Sequence, residues 1–89
     1  VVNPCYPNPF NNSTMISFYN PAESRATIMV FNIRGELIAT LLDQQLPTGR
    51  HQVRWHGTDA NQEAISSGIY FVKIQVSNEI QVVKAVCIK

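Results

Sequence analysis

Asp59-Ala60-Asn61-Gln62-Glu63 sets side-chain oxygens at alternate positions, the arrangement with which a loop wraps a calcium ion. A calcium loop of that type also needs glycine at its sixth position and a bidentate glutamate at its twelfth. Here those places hold Ala64 and Tyr70, so a surface turn is the stronger reading. His51 and His56 lie five apart on one expected strand and point to opposite faces, which prevents them from gripping one metal ion. The serines sit in turns without a motif that would expose and activate one as a nucleophile. Glu23, Glu36, Asp43, Asp59, Glu63 and Glu79 fall in or beside expected turns, which defines no acid/base pair. The expectation is a chain without catalytic residues, metal or cofactor. Cys5 and Cys87 stand near opposite ends. In a compact sandwich terminal strands are often neighbours, and a bridge between them would contribute about 4 kcal/mol on the chain-entropy model. The alternative is two buried thiols acting as small apolar side chains. Spacing does not choose between these, because the Cα separation decides. Tyr19, Phe31, Trp55 and Phe71 would suit a platform for stacking sugar rings if exposed together, or core packing if not.

The elements that carry these residues read as strands. Thr14 to Tyr19 puts Ile16 and Phe18 on one face and ends at Asn20-Pro21. Ala26 to Ile33 has Ala26, Ile28 and Val30 on one face and Thr27, Met29, Phe31 and Ile33 on the other, which suggests a central strand covered on both sides. A turn at Asn32-Ile33-Arg34-Gly35, with Gly35 free to take positive φ, leads into Leu37 to Leu42. Pro47-Thr48-Gly49 precedes His51 to His56, where His51, Val53 and Trp55 share a face. Gly57 to Gly68 reads as a surface loop with a brief strand at Ala64-Ile65. Ile69 to Val76 alternates most cleanly, and a turn at Ser77-Asn78-Glu79 joins it to Ile80 to Lys89. Val1 to Pro4 offers a short seventh strand. Before the first clear strand, Tyr6-Pro7-Asn8-Pro9-Phe10-Asn11 is an extended, proline-set entry segment. Its asparagines can bond nearby backbone, and its Tyr6 and Phe10 are held for burial.

Six or seven short strands without a helical pattern indicate an all-β, antiparallel immunoglobulin-like β-sandwich, although the Cys-Trp-Cys core of true immunoglobulin domains is missing. At 89 residues the chain makes one domain, 1–89, with a modest core. A net charge of +1 gives no field to gather phosphates, so nucleic acid is not an expected partner. No apolar run approaches the roughly 20 residues needed to cross a bilayer as a helix. A start at Val1 reads as a piece cut from a longer precursor whose targeting sequence lies elsewhere.

The punctuating residues resemble the type A C-terminal sorting domain of the bacterial type IX secretion system, a family related to the immunoglobulin-like domain of a flagellar hook-capping protein. The resemblance runs through Tyr6, Pro7, Asn8, Pro9, Phe10 and Asn11, then Ser13-Thr14 with Ile16 and Phe18, Pro21, and Val30-Phe31-Asn32 with Gly35. It continues through Gly49-Arg50-His51, Trp55 with Gly57-Thr58-Asp59, Ser67-Gly68-Ile69-Tyr70-Phe71, and Lys84 to Lys89. Val1 to Asn3 fall outside it. Asn12, His56 and Gln62 depart from the family pattern at turn positions, and Gln62 stands where a loop glycine is usual, which suggests altered loop geometry.

The resemblance implies a non-catalytic secretion and sorting signal. A precursor would cross the inner membrane by an ordinary signal peptide. In the periplasm the domain would then be read and taken with its N-terminal cargo domain through the outer membrane, to the cell surface or the medium. The partners implied are the outer-membrane secretion machinery and a sortase-like peptidase. By that analogy the signal lies in the last strand pair, Gly68, Ile69, Tyr70 and Phe71 with Lys84, Val86, Ile88 and Lys89. A terminal strand alternating Lys84, Val86 and Ile88 with Ala85 and Cys87 would offer an unpaired edge to a receptor strand, with lysine charge at either end. The reading from another class is a structural or adhesive accessory module of an extracellular enzyme, including a carbohydrate-binding one.

Overall fold

Alternation with a period of two, interrupted by glycine, proline and asparagine, gives seven strands among residues 5–89, which the computed structural model describes. They are β1 (Cys5–Tyr6), β2 (Thr14–Asn20), β3 (Ser24–Asn32), β4 (Leu37–Leu46), β5 (Gly49–Trp55), β6 (Gly68–Val76) and β7 (Glu79–Cys87). All pairings between strands are antiparallel. One sheet has the order β1-β2-β5 and the other the order β4-β3-β6-β7. The expected all-β sandwich is the observed one. The strand expected at Val1 to Pro4 lies outside the described residues. At Ala64-Ile65 there is only a single bridge, between Thr58 and Ala64. No helix among the described residues is long and apolar enough to cross a membrane.

The inner faces of the sheets meet over Ile16 and Phe18 of β2, Ala26, Ile28 and Val30 of β3, Tyr70, Val72, Ile74 and Val76 of β6, and Ala85 and Cys87 of β7. Each fully buried Ile or Val among them contributes roughly 1.5–3 kcal/mol relative to exposure. β3 is central, with hydrogen-bonded neighbours on both edges, yet only one of its faces is covered. Thr27, Met29 and Phe31 are half-buried and Ile33 is exposed, because a central place in a sheet needs neighbouring strands and not a second layer.

β4 runs to Leu46, four residues beyond its expected end, and two register shifts against β3 accommodate it. Asp43 therefore sits inside a strand, where its carboxylate accepts a 2.7 Å hydrogen bond from Arg25 Nε. Both side chains are largely exposed, so this pair adds at most about 1 kcal/mol. The turn at 32–36 is as read: Gly35 has φ +83°, and Asn32 Oδ1 accepts the N–H groups of Arg34 and Glu36.

Candidate functional site: a clamped C-terminal strand

β7 pairs with β6 on one side from Val76↔Glu79 to Gly68↔Cys87. Its other side takes up the entry segment. Phe10 N–H donates to Val86 O and Ile88 N–H donates to Phe10 O, both at 2.9 Å, a short parallel contact between Phe10 and Cys87. Pro9, which precedes Phe10, has no N–H to offer this edge. The carboxamide of Asn8 fills the gap as a peptide group would: Nδ2 donates to Lys84 O at 2.7 Å and Oδ1 accepts Val86 N–H at 2.9 Å. Asn8 was expected to bond nearby backbone; its partners lie 76 and 78 residues away. The peptide bonds before Pro7 and Pro9 are both cis, and the hydroxyl of buried Thr14 donates to Pro7 O at 2.9 Å.

Phe10 is buried as expected, whereas Tyr6 is 78% exposed. The cause is strand alternation: Cys5 takes the inward position on β1, which turns Tyr6 to solvent. Phe10 packs on Trp55 with ring centroids 5.3 Å apart, and Trp55 meets Tyr70 edge-on at 5.7 Å. The polar ends of both rings are satisfied, Trp55 Nε1–H by Thr58 O at 3.0 Å and Tyr70 O–H by Ser66 O at 2.8 Å. Gly57 closes the cluster at φ +66°, where an added Cβ would lie 3.4 Å from Phe10 Cε2. The chain end is held as well: Lys89 N–H donates to Ser67 Oγ at 2.9 Å, and Lys89 Nζ donates to Ile65 O at 2.7 Å.

Motifs scattered through the sequence thus converge. Phe10, Trp55, Gly57 and Tyr70 form one packed cluster beside β7, with Asn8 lacing the strand from outside. Gly35, by contrast, belongs to the separate turn at 32–36. Of the signal residues, Tyr70 points into the core, while Ile69, Phe71, Lys84 and Val86 lie together on the outer face through the pairs Ile69↔Val86 and Phe71↔Lys84. Ile88 is 55% exposed just beyond them. Two expectations about this strand need correction. The edge over Lys84 to Ile88 is occupied by Asn8 and Phe10, and the ammonium of Lys89 is bound to a loop carbonyl instead of standing free as a terminal charge. The strand itself ends at Cys87.

Cys5 and Cys87 are buried thiols, and no disulfide joins them. Each thiol fills a place in the core as a small apolar side chain. Burial pushes the Cys5 thiol up to about 11. The aromatic platform does not assemble: Trp55 is in the core, Tyr19 is exposed on the three-stranded sheet, and Phe31 pairs with Phe71 on the four-stranded one.

Asp59 spends one oxygen, Oδ1, on the N–H groups of Asn61 and Glu63, the surface turn read from the sequence. Gln62 takes φ +66° there, so the turn keeps a left-handed residue although glycine is absent. Among the described residues no group of three or more His, Cys, Asp or Glu could hold a metal ion. His51 stacks on Phe18 at 5.6 Å and His56 is exposed past the end of β5. One structural residue escaped the sequence reading. Buried Asn20 donates from Nδ2 to Leu46 O and Pro47 O and ties β2 to the end of β4; an Asn-Pro pair signals only a turn.

A family model for a secretion system C-terminal sorting domain matches residues 4–89. No curated protein matches the chain. Among solved structures, PorU from Porphyromonas gingivalis is similar at a TM-score of 0.73 and 14% identity, over 94% of this chain and 9% of that one. PorZ, an essential surface component of the type-IX secretion system of P. gingivalis, is similar at 0.62 and 19%, over 96% of this chain and 11% of that one. FlgD from P. aeruginosa is similar at 0.66 and 18%, over 84% and 58%. At these identities the likeness is one of fold, and the chain spans only a small part of PorU or PorZ. The match over nearly its whole length shows that the chain belongs to the secretion system C-terminal sorting domain family.

Proposed function

We propose that this chain is the non-catalytic C-terminal domain, residues 1–89, of a larger exported precursor, and that it directs its cargo across the bacterial outer membrane through the type IX secretion system. The observation that carries the reading is the family match together with the place where the matched motifs meet: Asn8, Phe10, Trp55 and Tyr70 all hold the C-terminal strand pair. In this reading the machinery recognises a folded surface rather than a bare tail. Ile69, Phe71, Lys84, Val86 and Ile88 form that surface, Gly68 and Tyr70 shape it from beneath, and Lys89 fixes its end. The domain meets the outer-membrane machinery after periplasmic transit, and a sortase-like peptidase removes it at the cell surface. The surface patch is small and mixed, an apolar rim around one lysine, which suits a transient encounter.

The test is a fusion of the intact domain to a folded reporter carrying a signal peptide, expressed in a host with the machinery. Reporter at the surface or in the medium is the expected result, and an intact fusion that stays in the periplasm refutes the reading. The carbohydrate-binding alternative has lost its platform with the burial of Trp55.

A further inference from the structure

Charge is divided unevenly between the two sheets. β1, β2 and β5 carry Arg50 and Arg54 and no carboxylate, while all six carboxylates lie on β4, on β7 or in turns. The chain's net +1 is therefore +2 on the three-stranded sheet and −1 elsewhere, five cations against six carboxylates. The described residues hold one ion pair, Arg25 with Asp43, and the sequence Val1 to Pro4 contains no Asp or Glu. No carboxylate side chain of the chain thus neutralises Arg50 or Arg54.

Strand alternation sets both arginines on the outer face, away from the core. The register then builds two like rows across that face. Arg50 stands opposite Tyr19, and Arg54 opposite Met15, whose other neighbour is Tyr6. Between them lies a polar row, in which Gln52 Nε2 donates to Ser17 Oγ at 3.3 Å. The two arginines are four residues apart on β5, about 13 Å at the rise of a strand. Both rings are open to solvent, Tyr6 at 78% and Tyr19 at 55%. Arg54 is steadied by a 2.9 Å hydrogen bond from Nη1 to Ser13 Oγ, whereas the Arg50 guanidinium has no partner among the described residues. An open depression of about 390 Å³ adjoins it, lined by Ser17, Phe18, Arg50, His51 and Gln52.

We propose that this outer face binds a polysaccharide of carboxylated sugars, with Arg50 and Arg54 on the carboxylates, Tyr19 and Tyr6 stacked on sugar rings, and Ser17 and Gln52 on hydroxyls. A guanidinium meets a carboxylate in a planar, two-point contact, and a tyrosine gives a flat apolar ring to the C–H side of a sugar while its hydroxyl stays wet. Two cation-and-ring rows with a hydrogen-bonding row between them suit a ligand that repeats along its length. Of the sugar platform dispersed by the burial of Trp55 only Tyr19 takes part here, and charge leads while the rings assist. A membrane is a poor occupant, because β1, β2 and β5 expose no aliphatic side chain to insert. A protein surface would find no aliphatic anchor on this face for the same reason.

Binding at this face is independent of export and is tested on the chain alone. In native gels polygalacturonate, a polymer of carboxylated sugars, should retard the protein, neutral dextran should not, and poly-glutamate, which has charge without rings, should do so more weakly. Arg50→Gln should raise the dissociation constant for polygalacturonate about fivefold, the scale of one exposed charge contact. Tyr19→Ala, which keeps both charges, should weaken binding by a similar factor, and Lys73→Gln on the other sheet should bind as wild type. Arg50→Gln removes no hydrogen bond from the described residues and carries the test if Tyr19→Ala melts early. Absence of retardation by polygalacturonate overturns the proposal, as does wild-type binding by Arg50→Gln. Equal retardation by poly-glutamate, or an equal loss from Lys73→Gln, would reduce the effect to plain charge attraction and overturns it as well.

Discussion

Replacing Asn8 with alanine removes the two side-chain hydrogen bonds, 2.7 Å to Lys84 O and 2.9 Å from Val86 N–H, that lace the entry segment to β7. The two do not count equally. Lys84 O is exposed and water replaces its lost donor at small cost, about 0.5 kcal/mol. Val86 N–H is part-buried and loses its acceptor at about 1–1.5 kcal/mol. The sum, about 2 kcal/mol, lowers the melting temperature of a domain of this size by roughly 10 °C. Amide exchange adds the residue-level readout: Val86 N–H loses protection, and Ile88 N–H, which depends on Phe10 O, follows as the segment lifts.

Asn8→Asp sharpens the test, because it keeps the acceptor for Val86 N–H, deletes the donor, and sets a carboxylate against Lys84 O. At neutral pH it should destabilise at least as much as alanine. It should recover in part as pH falls through about 4, where the carboxyl protonates and donates again. An alanine variant that melts within about 1 °C of wild type, with Val86 exchange unchanged, would refute the clamp.

Gly57→Ala forces a side chain onto φ +66° and sets its Cβ 3.4 Å from Phe10 Cε2. The backbone conformation dominates, since the Phe10 ring can yield slightly, and thermal unfolding should report a loss of about 1–2 kcal/mol. Cys5 makes the fold lose stability at alkaline pH. Its thiol is held at about 11 against an ordinary 9.0, so the unfolded state ionises first. The contribution is complete below pH 9 and falls away between pH 9 and 11, by about 2–3 kcal/mol. Denaturant titrations of wild type and Cys5→Ala over pH 8–11 should show the steeper loss in wild type, and parallel curves would contradict the assignment.

Periodicity and punctuation, which act over a few residues, determined most of what the sequence revealed by itself. The alternation of Ile69 to Val76 marks a strand whatever surrounds it, Gly35 marks a turn because it alone there takes positive φ freely, and Pro7 and Pro9 exclude a helix. The ordered motifs from Tyr6 to Lys89 were enough to indicate the family. Only the tertiary structure decided the relations between distant residues. That both sulfurs are taken into the core without a bond between them settled the cysteines as buried thiols. That Cys5 claims the core turned Tyr6 outward. That the entry segment between β1 and β2 reaches across to β7 gave Asn8 partners 76 and 78 residues away and covered the strand edge at Val86. Local dihedral preferences carry no record of which edge lies beside which; that is fixed when loop closure and core packing are satisfied together.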